Sequence, residues 1–340
     1  MTRTPLASAP APASAAPVTD RLRTALRCVA IVSCLPYIVL KAAWVSGSHV
    51  GIPDGSPLLD HRTSMAVANS ASVLMDSAVV VIALLLTQAW GRRVPAWLLA
   101  LPMWVATGLL LPIMIGYPLQ LLVQLLGGRT VNRSDVGRPF LDEWVFGVVY
   151  TGFIIQGLAL GTLFALYARD RWGHLWQGTL RELPDSPTAP VLRAAAVAAS
   201  LIALVPGTLH LLWAAGSTAG LDEGRVEERT SGTAVLEAVY VLFVVVTVAG
   251  VLLLAFRRGS ALSLRVPLAL AWGGSGATAC WGGWMSIASL SHADEIADQP
   301  TATMVLIYAV QMLVGALVMT PVAYFLAERA AATRPASPRA

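Results

Sequence analysis

Thr233-Ala-Val-Leu-Glu237-Ala-Val-Tyr240-Val-Leu-Phe-Val-Val-Val-Thr-Val-Ala-Gly-Val-Leu-Leu-Leu-Ala-Phe256, closed by Arg257-Arg258, decides the fold class. One carboxylate interrupts a stretch longer than the roughly 20 apolar residues that cross a hydrocarbon core as a helix. Seven other runs have the same character, at about 24–46, 65–89, 95–115, 144–168, 192–214, 266–290 and 303–327. The chain is 56% hydrophobic and 12% charged, about half the charge usual for a soluble domain. These features predict an all-α integral membrane protein with about eight transmembrane helices, whose first partner is the lipid bilayer. The third run continues through Pro112 and Pro118, so 117–127 is read as a separate short interfacial helix ended by Gly127-Gly128.

Charge placement sets the threading. With the N-terminus inside, 16 of the 22 arginines fall in inner segments and six in outer loops (Arg62, Arg129, Arg133, Arg138, Arg225 and Arg229). Positive charge collects on the cytoplasmic side of membrane proteins. The expected location is therefore the cell membrane, multi-pass, with both termini cytoplasmic. The first run is too long for the core of a secretory signal and lacks a small-residue cleavage site, so it reads as an anchor that stays in place. The arginine bias, 22 against the single Lys41, and the abundant alanine suggest a GC-rich bacterial genome.

The chain also repeats itself. Lys41-Ala-Ala-Trp44-Val-Ser-Gly47-Ser48-His-Val-Gly51 matches His210-Leu-Leu-Trp213-Ala-Ala-Gly216-Ser217-Thr-Ala-Gly220. Val73-Leu-Met-Asp76 then matches Ala234-Val-Leu-Glu237, and both helices exit through a double arginine, at 92–93 and 257–258. Matches in the same order predict a 4+4 duplication, its halves related by an axis along the membrane normal. The expected organisation is a disordered cytoplasmic tail (1–20), a first four-helix half (21–175), a cytoplasmic linker (176–189), a second half (190–330) and a short tail (331–340).

Four strongly polar groups lie inside apolar runs: Lys41, Asp76, His210 and Glu237. Charge at membrane depth costs about 2.5–3.5 kcal/mol even on the lenient insertion scale, so each group needs a partner or a wet cavity. The repeat pairs Lys41 with Asp76 and His210 with Glu237. Trp44, Asn69 and Ser72 in the first set, and Trp213 and Tyr240 in the second, share their helix faces. One reading is two ion pairs that lock helices together. The other is a polar cavity, open to the outside, that binds a small molecule or ion or relays protons.

Other chemistry finds little support. No basic stripe or zinc spacing points to nucleic acid. Cys28, Cys34 and Cys280 lie in apolar runs without a C-x-x-C, and no metalloprotease, serine-hydrolase or haem-ligand pattern occurs. His49, His61 and His292 fall in predicted outer loops without ligand spacing. No catalysis, cofactor or metal is expected. The glycines of the seventh run, Gly273, Gly274, Gly276, Gly282 and Gly283, read as a close-packing surface.

The segment His210-Leu-Leu-Trp213-Ala-Ala-Gly216 resembles the H-x-x-W-A-x-G-G stretch of a small uncharacterised bacterial membrane-protein family, with Ser217 in place of the second glycine. Lys41-Ala-Ala-Trp44 is similar to an L-K-x-x-W variant in other bacterial polytopic proteins. The likeness covers under a tenth of the chain and implies a polytopic fold but no activity. A transporter or permease-like protein is the first expectation. A non-transporting sensor or structural partner is the second, and an enzyme the last.

Overall fold

The computed structural model describes residues 16–59, 62–130, 141–289 and 299–333. Most of both expected tails, and the loop residues His61, Arg133, Arg138 and His292, lie outside the described residues. Regular structure among the described residues is helical: α1 (Ala16–Val45), α2 (Arg62–Thr87), α3 (Ala96–Leu125), α4 (Glu143–Trp172), α5 (Ala189–Ala214), the short α6 (Glu223–Glu227), α7 (Ser231–Phe256), α8 (Arg265–Ser289) and α9 (Ala302–Ala332). Seven of these, α1–α5, α7 and α9, are long and apolar enough to cross a membrane, the make-up of a multi-pass membrane protein.

The exception is α8, whose sequence ATACWGGW and the preceding GGSG are small, polar or indole-bearing. Residues 273–279 are all buried. This helix packs against α3, α7 and α9 and presents little of its length to lipid. A helix covered by protein has no need of Leu and Val, and small residues let its neighbours approach. A Cβ added to Gly108 of α3 would lie 2.3 Å from the Gly276 carbonyl oxygen, so α3 and α8 cross backbone against backbone. Gly274 meets Thr247 of α7 in the same way, and Gly282 meets the Tyr308 carbonyl of α9. These glycines therefore form the close-packing surface that their spacing suggests.

Three boundaries differ from expectation. First, α3 is one helix from Ala96 to Leu125 through Pro102, Pro112 and Pro118, and 117–127 is not separate. Proline already has a helical φ, each one removes a single backbone bond, and no water competes for the rest in hydrocarbon. The glutamines that suggested an interface misled because Gln120 is buried against the protein. Second, α1 begins at Ala16 inside the expected tail, with Pro17 in the first turn, where a missing N–H leaves nothing unsatisfied. Third, the 176–189 linker is folded. Thr179 bridges Ser263, and Leu180 and Leu183 are buried beside Leu264 and Leu254.

Among the long helices α1 packs on α2 and α4, α5 packs on α7 and α9, and α3 crosses α8. At the arginine-rich end, side chains tie helix termini together: Arg23 pairs with Asp170, Arg171 donates to the Val94 carbonyl, and Arg257 donates to the Leu183 and Pro184 carbonyls.

Candidate functional site: two polar clusters below matched helix ends

The ends of α1 and α5 are built alike, atom for atom. Gly47 N–H donates to the Trp44 carbonyl and Ser48 N–H to the Ala43 carbonyl; Gly216 N–H donates to Trp213 and Ser217 N–H to Leu212. Such nested bonds need a left-handed residue after the helix, which glycine supplies without a side-chain clash. Gly47 (φ 93°) and Gly216 (φ 114°) fill that position. The indole N–H of Trp44 donates to the Val50 carbonyl at 2.7 Å, and that of Trp213 to the Ala219 carbonyl at 2.9 Å. The Ser48 and Ser217 hydroxyls each accept from the N–H two residues on, at 3.3 Å. The carbonyl of Gly51 then accepts from Asp142 N–H just before α4, and that of Gly220 from the Thr301 hydroxyl just before α9. The motif W-x-x-G-S-x-x-G is thus a helix stop, an indole clasp and a tether to a later helix.

One turn deeper the two sites diverge. The Lys41 ammonium donates to Asn69 Oδ1 at 2.8 Å and lies 4.5 Å and 5.1 Å from the ring centroids of Trp44 and Tyr37. Asp76 is not within 4 Å of it. Asn69 precedes Asp76 by two helical turns, about 10.5 Å of rise, and the lysine reaches the nearer polar group. The expected Lys41–Asp76 ion pair is therefore replaced by a Lys41–Asn69 hydrogen bond and two ring contacts. Asp76 instead accepts a long, 3.4 Å bond from Gln156 Nε2 of α4. Three atoms of this cluster, Asn69 Nδ2, Asp76 Oδ2 and Gln156 Oε1, are buried with no hydrogen-bond partner among the described residues. The Ser72 hydroxyl bonds its own helix, at the Ala68 carbonyl.

In the second cluster the histidine is held on both sides of its ring. His210 Nδ1 lies 2.5 Å from Glu237 Oε2, so the expected contact between α5 and α7 is present. On the other side of the ring, His210 Nε2 lies 2.9 Å from Gln311 Nε2 of α9. An amide nitrogen only donates, so Nε2 accepts and Nδ1 carries the proton given to Glu237. His210 also packs against Trp213 and Tyr240, with ring centroids 5.2 Å and 5.0 Å away.

Beside Glu237 a cavity of about 370 Å³ separates α3 and α4 from α7 and α8. Tyr117, Tyr150, Trp213, Tyr240 and Trp281 line it, with Gln120 and Glu237, and Arg225, Glu228 and Arg229 stand where the α5–α7 connection crosses it. Arg225 and Glu228 are exposed there, so this end is the mouth. Arg229 turns inward to the Trp213, Gly216 and Ser217 carbonyls and caps α5. Sequence reading missed Gln156, Gln311, Tyr117, Tyr150, Trp281 and Arg229. The two glutamines carried a readable signal, an amide alone in an apolar run; the aromatic residues and the arginine did not. No family model, curated protein or solved structure matches the chain.

Proposed function

We propose that the chain is a cell-membrane protein that binds a small molecule in the cavity beside Glu237, in the manner of a transporter or permease. The carrying observation is that a carboxylate hydrogen-bonded to histidine lines a space walled by five aromatic rings. Pockets that hold small ligands combine such apolar walls with a few convergent polar groups. In this reading α8 is the eighth span, the two four-helix sets are halves of a duplication, and both termini are cytoplasmic. Support for the duplication comes from the matched ends of α1 and α5 and the matched tethers to α4 and α9. Support for α8 comes from its length and its enclosure by α3, α7 and α9. Nothing in the reading calls for catalysis, a cofactor or nucleic acid.

Two experiments test it. Reporter fusions after Arg93, Leu180 and Ser260 should report cytoplasm, and fusions at Gly55, Arg225 and Ile296 the outside; a fusion at Ile296 on the Ser260 side removes α8 as a span. For the cavity, a single cysteine at Leu236 should react in intact cells with a membrane-impermeant thiol reagent, while one at the fully buried Ala83 stays silent. Failure at Leu236 would leave the second reading, a structural or sensory protein. The Lys41 side favours that alternative, because it joins α1 to α2 through the bond to Asn69.

A further inference from the structure

We infer that the ligand of this cavity is a small organic cation, a substituted ammonium on an apolar frame, held by Glu237 and the surrounding rings. The inference rests on the binding-site reading above and adds the ligand's charge and class.

The charges around the cavity decide its sign. Arg229 is spent on three carbonyls at the C-terminus of α5, where the helix dipole is negative and offsets its charge. Arg225 stands at the exposed mouth, 3.7 Å from Asp222. Deeper in, among the tyrosines and tryptophans of the lining, Glu237 supplies the carboxylate. Its neighbour His210 bonds it through Nδ1, while the Gln311 amide holds the ring from the other side at Nε2. Glu237 Oε2 takes that bond. Oε1 receives no hydrogen bond among the described residues, and the carboxylate is partly open to the cavity. The site thus presents one negative charge and a free acceptor in surroundings that strengthen electrostatic attraction.

The rings add to the same preference. Tyr117 and Tyr150 lie 4.8 Å apart and Tyr240 and Trp281 6.0 Å apart, centroid to centroid, on the walls flanking Glu237. Aromatic faces attract cations, and rings grouped around a site are a recurring way to hold quaternary ammonium groups. A volume of about 370 Å³ sits near the low end of the roughly 300–1,000 Å³ range for ligand pockets, which suits one small molecule. The other cluster contains its own example of this chemistry. At the position matching His210, the Lys41 ammonium rests against Trp44 and Tyr37. The first cluster carries a tethered cation; the second has a histidine there and an open space beside its acid.

The test is calorimetric titration of the full chain in lipid nanodiscs with benzyltrimethylammonium, its neutral carbon isostere neopentylbenzene, and phenylmethanesulfonate. The ammonium should bind saturably and at least about tenfold more tightly than the isostere, with no binding of the sulfonate. Glu237→Gln should weaken ammonium binding by about tenfold or more, and Trp281→Leu by several fold. The wild-type comparison needs no variant, so a variant that fails to fold does not blunt the test. Equal binding of ammonium and isostere, or preference for the sulfonate, overturns the cation while leaving a binding cavity. So does the absence of binding by all three when cysteine at Leu236 is labelled. Absence of both binding and labelling removes the cavity reading as well.

Discussion

The Lys41 and His210 clusters hang from helix ends with matching hydrogen bonds, yet one leaves polar atoms sealed without partners among the described residues and the other turns its unbonded acceptor to a cavity. Around Asp76 three buried polar atoms lack partners, and the cation nearby is bonded elsewhere. Around Glu237 the histidine uses both ring nitrogens, and the carboxylate faces a cavity. The difference teaches that helix-end geometry and buried chemistry are separable. Backbone requirements fix the glycines, the serine and the tryptophan of each end. The residues one turn below are free to make a filled site in one place and an open one in the other.

The largest expected effect breaks the frame that holds the two clusters together. Gly108→Leu drives a side chain into the α8 backbone at Gly276, where nothing flexible can yield. Overpacking costs about 1–3 kcal/mol in well-packed cores and more where backbone must move, so the variant should lose most of its folded yield by detergent size-exclusion. Gly161→Ala on α4, with nothing within 4 Å of the added carbon, should leave yield unchanged. If both variants fold equally well, the α3–α8 crossing is not as close as described.

Next, double-mutant cycles compare the clusters directly. His210→Leu with Glu237→Leu, scored by thermal unfolding, should give a coupling of about 1–3 kcal/mol, the size for a direct hydrogen bond to a charged group. Lys41→Leu with Asp76→Leu should couple more weakly, because the two charges act on each other through space without a direct hydrogen bond. Equal couplings would erase the distinction. Lys41→Leu with Asn69→Leu should couple more strongly than Lys41 with Asp76, following the 2.8 Å bond.

The smallest effect tests the likeness itself. Trp44→Phe and Trp213→Phe each remove one indole N–H bond to the carbonyl six residues on. Each should cost about 0.5–1.5 kcal/mol, and the two losses should agree within the error of the melting curves. A large inequality would mean that the two clasps are similar only in outline.

Much of the scaffold was readable in the residues because membrane crossing imposes length and polarity so strongly. The run ending at Arg257-Arg258 is α7 to its last apolar residue. The matched ends were readable because each glycine answers a backbone demand. What was hidden depends on side-chain reach and on packing between distant segments. Lys41 and Asp76 align in depth by repeat arithmetic, but a long flexible amine chooses its partner locally and took Asn69. Tyr117, Tyr150 and Trp281 reach the cavity from three helices, and nothing in their own neighbourhoods marks them as facing one space. The break expected in α3 failed for a related reason: Gln120 is buried in the cavity wall rather than set at a membrane interface.

The glycine-rich interior of α8 also bears on how the protein is made. A segment entering the bilayer alone is sorted by its own partition into lipid, and α8, with its glycines, serines and threonine, gains little there. What stabilises it in the bundle is contact with α3, α7 and α9. If α8 is the eighth span proposed above, its insertion waits on company: α7 precedes it in the chain, and α9 follows to cover its other side. Truncating the chain after Ser289 should release α8 from the membrane fraction to protease from outside the bilayer, whereas the same truncation placed after α7 should leave α7 protected.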